Sequence, residues 1–171
     1  AYMIISALIG KDDEVLVPTP CYSLWTNFTF LVGGKAKFYK CDESASWEPD
    51  IESIKRGITS NTKAIVLINP NNPTGYLYSE QEFQQLRELI IKHDLFLIAD
   101  EVYREFCYDG AKHYSSMYLE GVDDNVIMVD SVSKRYSECG LRIGVLATKN
   151  KNVIASAMKM AQSRLCPPTY G

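Results

Sequence analysis

Ala64-Ile65-Val66-Leu67-Ile68-Asn69-Pro70-Asn71-Asn72-Pro73-Thr74-Gly75 is the stretch on which the fold of this chain turns. Its first five residues are aliphatic and largely β-branched. In a strand, successive side chains point to opposite faces, so an unbroken apolar run predicts a strand covered on both sides. The next seven residues neither extend that strand nor open a helix. Pro70 and Pro73 bias the residues before them away from helix, and Gly75 permits a turn closed to other residues. Such a loop either links strand to helix rigidly or aims an asparagine amide at a ligand.

On either side of this stretch the same alternation repeats. Ser79 to Lys92 has helical spacing, with Ser79 as cap and Phe83, Leu86, Leu89 and Ile90 on the buried side. Leu95 to Ala99 is a second apolar run and ends at Asp100. Val126 to Val129 is a third and ends at Asp130, and Gly144 to Thr148 is a fourth. Asn152 to Arg164 closes as a helix. Upstream, Met3, Ile4, Ala7 and Leu8 are spaced as on a helix. Glu14 to Val17 reads as a short strand stopped by Pro18 and Pro20, and Tyr22 to Leu31 as a helix closed by Gly33-Gly34. Lys35 to Cys41 reads as a strand with Ala36, Phe38 and Tyr39 set against its lysines, and Ile51 to Gly57 as a short helix. Strand and helix alternating through short links predict a three-layer α/β/α sandwich around a mostly parallel sheet.

Composition narrows the function. The 171 residues are 46% hydrophobic and 23% charged, with 18 basic and 21 acidic side chains, which is a folded and not a disordered composition. A net charge of −3 with no basic run argues against nucleic acid as partner, and no apolar run approaches a membrane span. Five scattered cysteines, no CxxC pair and only two histidines (His93 near a helix end, His113 in a loop) exclude a disulfide scaffold and a zinc site. The expected setting is reducing and cytoplasmic.

In open sheets of this kind, ligands bind beyond the carboxyl ends of the strands. The residues just after each apolar run are therefore the informative ones. Asp100-Glu101-Val102-Tyr103 comes after the second: Asp100 either caps a further helix, with Tyr103 packed, or faces a protonated ring nitrogen with the Tyr103 hydroxyl on the same ligand. Ser131-Val132-Ser133-Lys134-Arg135 comes after the third, with Gly140-Leu141-Arg142-Ile143-Gly144 close behind. Lys134 is either a solvated surface amine or a carbonyl-reactive one. Arg135 and Arg142 supply cations, and arginine is suited to a phosphate fork. A ligand with a basic ring nitrogen, a ring oxygen, an aldehyde and a phosphate matches the whole set, and pyridoxal phosphate has all four.

With these motifs in this order, the sequence resembles the large, cofactor-binding domain of the aspartate-aminotransferase-like (class I/II) pyridoxal phosphate enzymes, over essentially all 171 residues. The resemblance implies that Lys134 forms the internal aldimine and later serves as general acid and base. It places Asp100 at the pyridine nitrogen, Asn72 and Tyr103 at the ring 3-oxygen, and Tyr22 over the ring face. Ser131 and Arg142, with Ser133 as a further candidate, would bind the phosphate. The implied reaction moves an amino group from an L-amino acid to a 2-oxo acid, with aspartate or glutamate and 2-oxoglutarate as the default pair, in a homodimer.

The chain begins inside what reads as a helix, and Pro167-Pro168-Thr169-Tyr170-Gly171 reads as a loop. It is expected to be the central part (1–171) of the large domain, without the family's N-terminal segment and C-terminal small domain. On that reading the substrate-carboxylate arginine lies outside this chain. The same lysine and aspartate would also serve a C–S lyase or a 1-aminocyclopropane-carboxylate-synthase-like enzyme, and a non-catalytic cofactor-domain fragment is the reading from a different class. Neither GxGxxG nor GxxxxGK[ST] is present to support a nucleotide site.

Overall fold

The aliphatic run at 64–68 lies at the middle of a seven-stranded sheet. The structure is a computed structural model and describes residues 1–163; the expectations on Arg164, Cys166 and the 167–171 loop lie outside the described residues. The strands are β1 (Glu14–Thr19), β2 (Lys35–Asp42), β3 (Glu48–Pro49), β4 (Thr62–Ile68), β5 (Phe96–Asp100), β6 (Val126–Ser131) and β7 (Gly144–Ala147). The helices are α1 (Tyr2–Leu8), α2 (Leu24–Leu31), α3 (Ile51–Gly57), α4 (Glu80–His93), α5 (Val132–Arg135) and α6 (Lys151–Ser163). The strand order is β3-β2-β1-β4-β5-β6-β7. Strands β2 to β6 in that order run parallel, and β3 and β7 pair antiparallel at the two edges.

The alternation of each buried strand sorts its side chains into two cores. Leu16, Ile65, Leu67, Leu97 and Ala99 join Ile54 of α3 and Phe83, Leu86 and Ile90 of α4 on one face. Val15, Val17, Ala64, Val66, Ile68 and Ile98 join Ile4 and Ile5 of α1, Trp25 of α2 and Val153 of α6 on the other. This is the expected three-layer sandwich. Full burial of each large aliphatic side chain stabilises it by roughly 1.5–3 kcal/mol, and both faces of the central strands contribute. Ser79 caps α4 in a reciprocal box: its hydroxyl accepts from the Glu82 N–H, and the Glu82 carboxylate accepts from the Ser79 N–H at 2.7 Å.

Three local expectations are corrected. β1 runs through Pro18 to Thr19, because its pairing with β4 ends at Leu16 and no carbonyl on that side awaits the N–H that Pro18 lacks. In β2 it is Tyr39, 1% exposed, that enters the core, while Phe38 stays 54% exposed. The Tyr39 hydroxyl lies 2.9 Å from the Val66 carbonyl and 3.1 Å from the Tyr78 hydroxyl, so tyrosine meets a polar partner there that phenylalanine cannot use. The helix expected from Tyr22 starts at Leu24, which leaves Tyr22 in the preceding loop. No helix among the described residues is long and apolar enough to cross a membrane.

Candidate active site

The chain order reverses between β1 and β4: β2 lies outside β1 in one direction, and β5 and β6 follow β4 in the other. At such a switch point the loops leaving adjacent strands part and open a crevice. A cavity of ≈ 370 Å³ opens there, lined by Tyr22, Asn72, Asp100, Tyr103, Ser131, Ser133, Lys134 and Arg142 together with Trp25 and Ile68. The structure thus brings all eight sequence-predicted side chains to one cavity, although the outermost two, Tyr22 and Arg142, lie 120 residues apart in the sequence. Its volume lies in the range of small-molecule sites, roughly 300–1,000 Å³.

Strand alternation decides which groups face it. Asp100 follows Ile98 in parity and so emerges on the Trp25 face of the sheet, where the indole N–H of Trp25 donates to its Oδ2 at 3.0 Å. The Val102 N–H lies 3.4 Å from Oδ1. No helix follows Asp100; residues 102–105 form a turn, so the capping role is not realised. Burial pushes the Asp100 carboxyl up from its ordinary value; the Trp25 and Val102 donors pull it back, and the charge of Asp130 adds to the rise. A positive charge arriving beside Asp100 would relieve that cost.

Glu101 has the opposite parity and enters the other face. It is fully buried, accepts from the Ser116 N–H at 2.8 Å and the Ser116 hydroxyl at 2.7 Å, and takes the Ser115 hydroxyl at 2.9 Å. His113 Nε2 lies 3.6 Å from it, and burial holds the His113 imidazole below its ordinary value. The sequence alone assigns no role to Glu101 or to Trp25. A buried indole requires an acceptor, and that was the available signal for Trp25. Glu101 had none, since its partners lie 14 and 15 residues away in a loop.

The three asparagines of the loop divide its tasks. Asn69 accepts from the Tyr78 N–H at 3.0 Å and donates to the Tyr114 carbonyl at 3.2 Å. Asn71 donates to Thr74 at 2.8 Å and to the Pro20 carbonyl at 3.3 Å. Only Asn72 is turned to the cavity, its amide 3.5 Å from the Tyr103 hydroxyl. Lys134 sits on the single turn α5, which Ser131 caps by accepting from the Ser133 N–H at 3.0 Å. Its amine lies 5.6 Å from the centre of the Tyr103 ring. The Ser131 and Ser133 hydroxyls are 2.7 Å apart, and Arg142 lines the same cavity from a left-handed position at φ 58°.

The donor set is chemically consistent with pyridoxal phosphate. A buried carboxylate suits a protonated ring nitrogen, a primary amine suits an aldehyde, and two hydroxyls with a guanidinium suit a phosphate. Among the described residues no cluster of His, Cys, Asp and Glu could hold a metal ion.

An α/β sheet with an amine and a partly buried carboxylate at its carboxyl edge is suited to a small carbonyl ligand. The family model for "Aminotransferase class I and II" matches residues 1–171, and the chain belongs to that family, whose enzymes depend on pyridoxal phosphate. It is 42% identical over 170 residues to an alanine aminotransferase of Mycobacterium bovis, with 96% of this chain and 39% of that protein covered. It is 40% identical over 167 residues to the glutamate-pyruvate aminotransferase AlaA of Escherichia coli, covering 95% of this chain and 41% of the relative. A crystal structure of an aminotransferase from Escherichia coli superimposes with a TM-score of 0.90 at 40% identity, covering 98% of this chain and 42% of that one. The chain therefore spans about two fifths of the length of these relatives.

Proposed function

We propose that the protein carrying this chain is a pyridoxal phosphate-dependent aminotransferase that moves an amino group from an L-amino acid to a 2-oxo acid, and that residues 1–171 are the central part of its cofactor-binding domain. The observation that carries the reading is the convergence of Lys134, Asp100, Asn72, Tyr103, Ser131, Ser133 and Arg142 on one cavity at the switch point of the sheet. The names of the two relatives favour the alanine–pyruvate and glutamate–2-oxoglutarate pairs over the aspartate default. A homodimer in the cytoplasm is part of the same proposal, resting on the resemblance stated above and on the scattered cysteines of the sequence.

Each side chain then has a task its position suits. When bound, the cofactor supplies an electron-withdrawing ring that stabilises negative charge at the substrate α-carbon. Asp100, oriented by Trp25, holds a proton on the ring nitrogen by charge. Asn72 and Tyr103 hold the ring oxygen, and Tyr22 covers the ring face. Ser131, Ser133 and Arg142 would hold the phosphate and so keep the ring within reach of Asp100. The Lys134 amine would hold the cofactor at its aldehyde and, as a free amine beside the substrate, would accept and return the proton at the substrate α-carbon.

The test is covalent trapping. After incubation with pyridoxal phosphate and reduction with borohydride, peptide mapping should find a pyridoxyl group on Lys134 and none in Lys134→Ala. A polypeptide that takes up no adduct, or takes it up on scattered lysines, overturns the reading.

A further inference from the structure

Arg135 follows the reactive lysine directly, and sequence reasoning counted it among the cations near the ligand. The structure turns it elsewhere. Its guanidinium donates from Nη2 to Asp130 Oδ2 at the end of β6, and its Nε lies 3.6 Å from Glu105 Oε1. Glu105 belongs to the same 102–105 turn that carries Tyr103. The arginine side chain is 24% exposed and that of Asp130 13%, so their pairing is screened far less than a surface contact. The other Asp130 oxygen accepts from the Ser131 N–H at 2.7 Å.

We propose that Arg135 is a positioning residue for Lys134: bridging Asp130 and Glu105, it clamps the one-turn helix of the lysine against the turn of Tyr103 and sets the net charge around the lysine nitrogen. Four-residue α5 makes too few hydrogen bonds to hold its own orientation. The hydrogen bond to Asp130 fixes the guanidinium on the sheet side, and the 3.6 Å approach to Glu105 is an ion pair without a hydrogen bond. Between these two contacts the Lys134 amine stands 5.6 Å from the centre of the Tyr103 ring. Its charge matters as well. Asp100, Tyr103, Asp130 and Arg142 line the cavity with Lys134, Glu105 and Tyr136 lie against Arg135, and the charge of Asp130 already acts on Asp100 across this site. Without Arg135, two carboxylates beside the lysine lose their counter-charge.

The inference rests on the functional reading above, and the experiment separates the two. The holoenzyme is titrated with pH while the absorbance of the cofactor held by Lys134 is followed, giving the midpoint at which the linking nitrogen loses its proton. Arg135→Met removes a cation from the residue next to Lys134 and should raise the midpoint by about one unit, the order of shift that one nearby charge gives in a partly buried site. Asp130→Asn leaves the arginine under-compensated and should lower it by about half a unit, and Glu105→Gln should lower it less because Glu105 is 57% exposed. The Arg135→Met/Asp130→Asn double variant should fall between the singles, and Arg135→Lys should stay near the wild type.

A purely structural role would not give shifts of opposite sign. Equal or same-direction shifts in Arg135→Met and Asp130→Asn overturn the inference while leaving the functional reading intact. Should Arg135→Met fail to fold, the downward shifts of Asp130→Asn and Glu105→Gln decide the matter, and their absence overturns it. A wild-type protein that shows no Lys134-linked absorbance overturns the functional reading and this inference with it.

Discussion

Asp100 and Glu101 are neighbours in sequence, both carboxylates and both at the tip of β5, yet they occupy different worlds on the two faces of the sheet. Glu101 is fully buried and surrounded by donors from Ser115 and Ser116, so its charge is satisfied within the protein. Asp100 has one good donor, Trp25, and a long one from Val102, and burial raises its carboxyl. A satisfied buried charge holds structure together. An under-satisfied one beside a cavity waits for a partner, and the difference marks which face carries chemistry.

Substitution tests the contrast directly. Lys134→Ala should abolish turnover in the full polypeptide, by more than about ten-thousandfold, since it removes both the anchor and the proton-moving amine. Steady-state assay with alanine and 2-oxoglutarate reads this, and residual activity near wild type would assign the site to another residue. Asp100→Asn should lower kcat by about a thousandfold, the scale of losing one preorganised charge at a reacting group.

The same variant tests the electrostatics. Because the folded state holds the Asp100 proton more tightly than the unfolded chain, stability of the cofactor-free protein falls as pH rises through the ordinary carboxylate range toward the raised value. Asp100→Asn removes that loss, so its cofactor-free melting temperature at neutral pH should exceed that of wild type. A lower one would show that Asp100 is structural.

Glu101→Ala should do the opposite, costing about 3 kcal/mol in urea unfolding because it strands the Ser115 and Ser116 donors in the core. Preserved stability would mean that the loop at 113–116 is held by something else. Trp25→Phe is the mildest. It keeps the ring in the core and deletes the N–H to Asp100, so kcat should fall about tenfold with unfolding stability within about 1 kcal/mol of wild type.

The contrast also shows how far sequence reasoning reached. The runs at 64–68, 95–99 and 126–129, the Ser79 cap and the buried face of α4 were legible because each depends on neighbours within a turn or a few strand residues. Asp100, Tyr103, Ser131, Ser133, Lys134 and Arg142 were legible for a related reason: in an open α/β sheet the tips of strands converge, so position after an apolar run stands in for position in space. Asn72 and Tyr22 were singled out by the family resemblance. Phe38 and Tyr39 were not distinguished, because the preference for tyrosine in the core comes from the Val66 carbonyl and Tyr78 hydroxyl, 27 and 39 residues away. The antiparallel course of β7 was likewise invisible, since strand direction leaves no mark on a four-residue apolar run.

Residue type and local periodicity were enough to set the α/β alternation and to bring the lysine, aspartate and arginine to strand ends that meet at one cavity. The assembled fold was needed to settle that Trp25 orients Asp100 while Glu101 is locked into the opposite face, and that Arg135 turns to Asp130 and Glu105. Those outcomes rest on side-chain parity at the end of a strand and on donors supplied from distant segments, and they exist only once the sheet has formed.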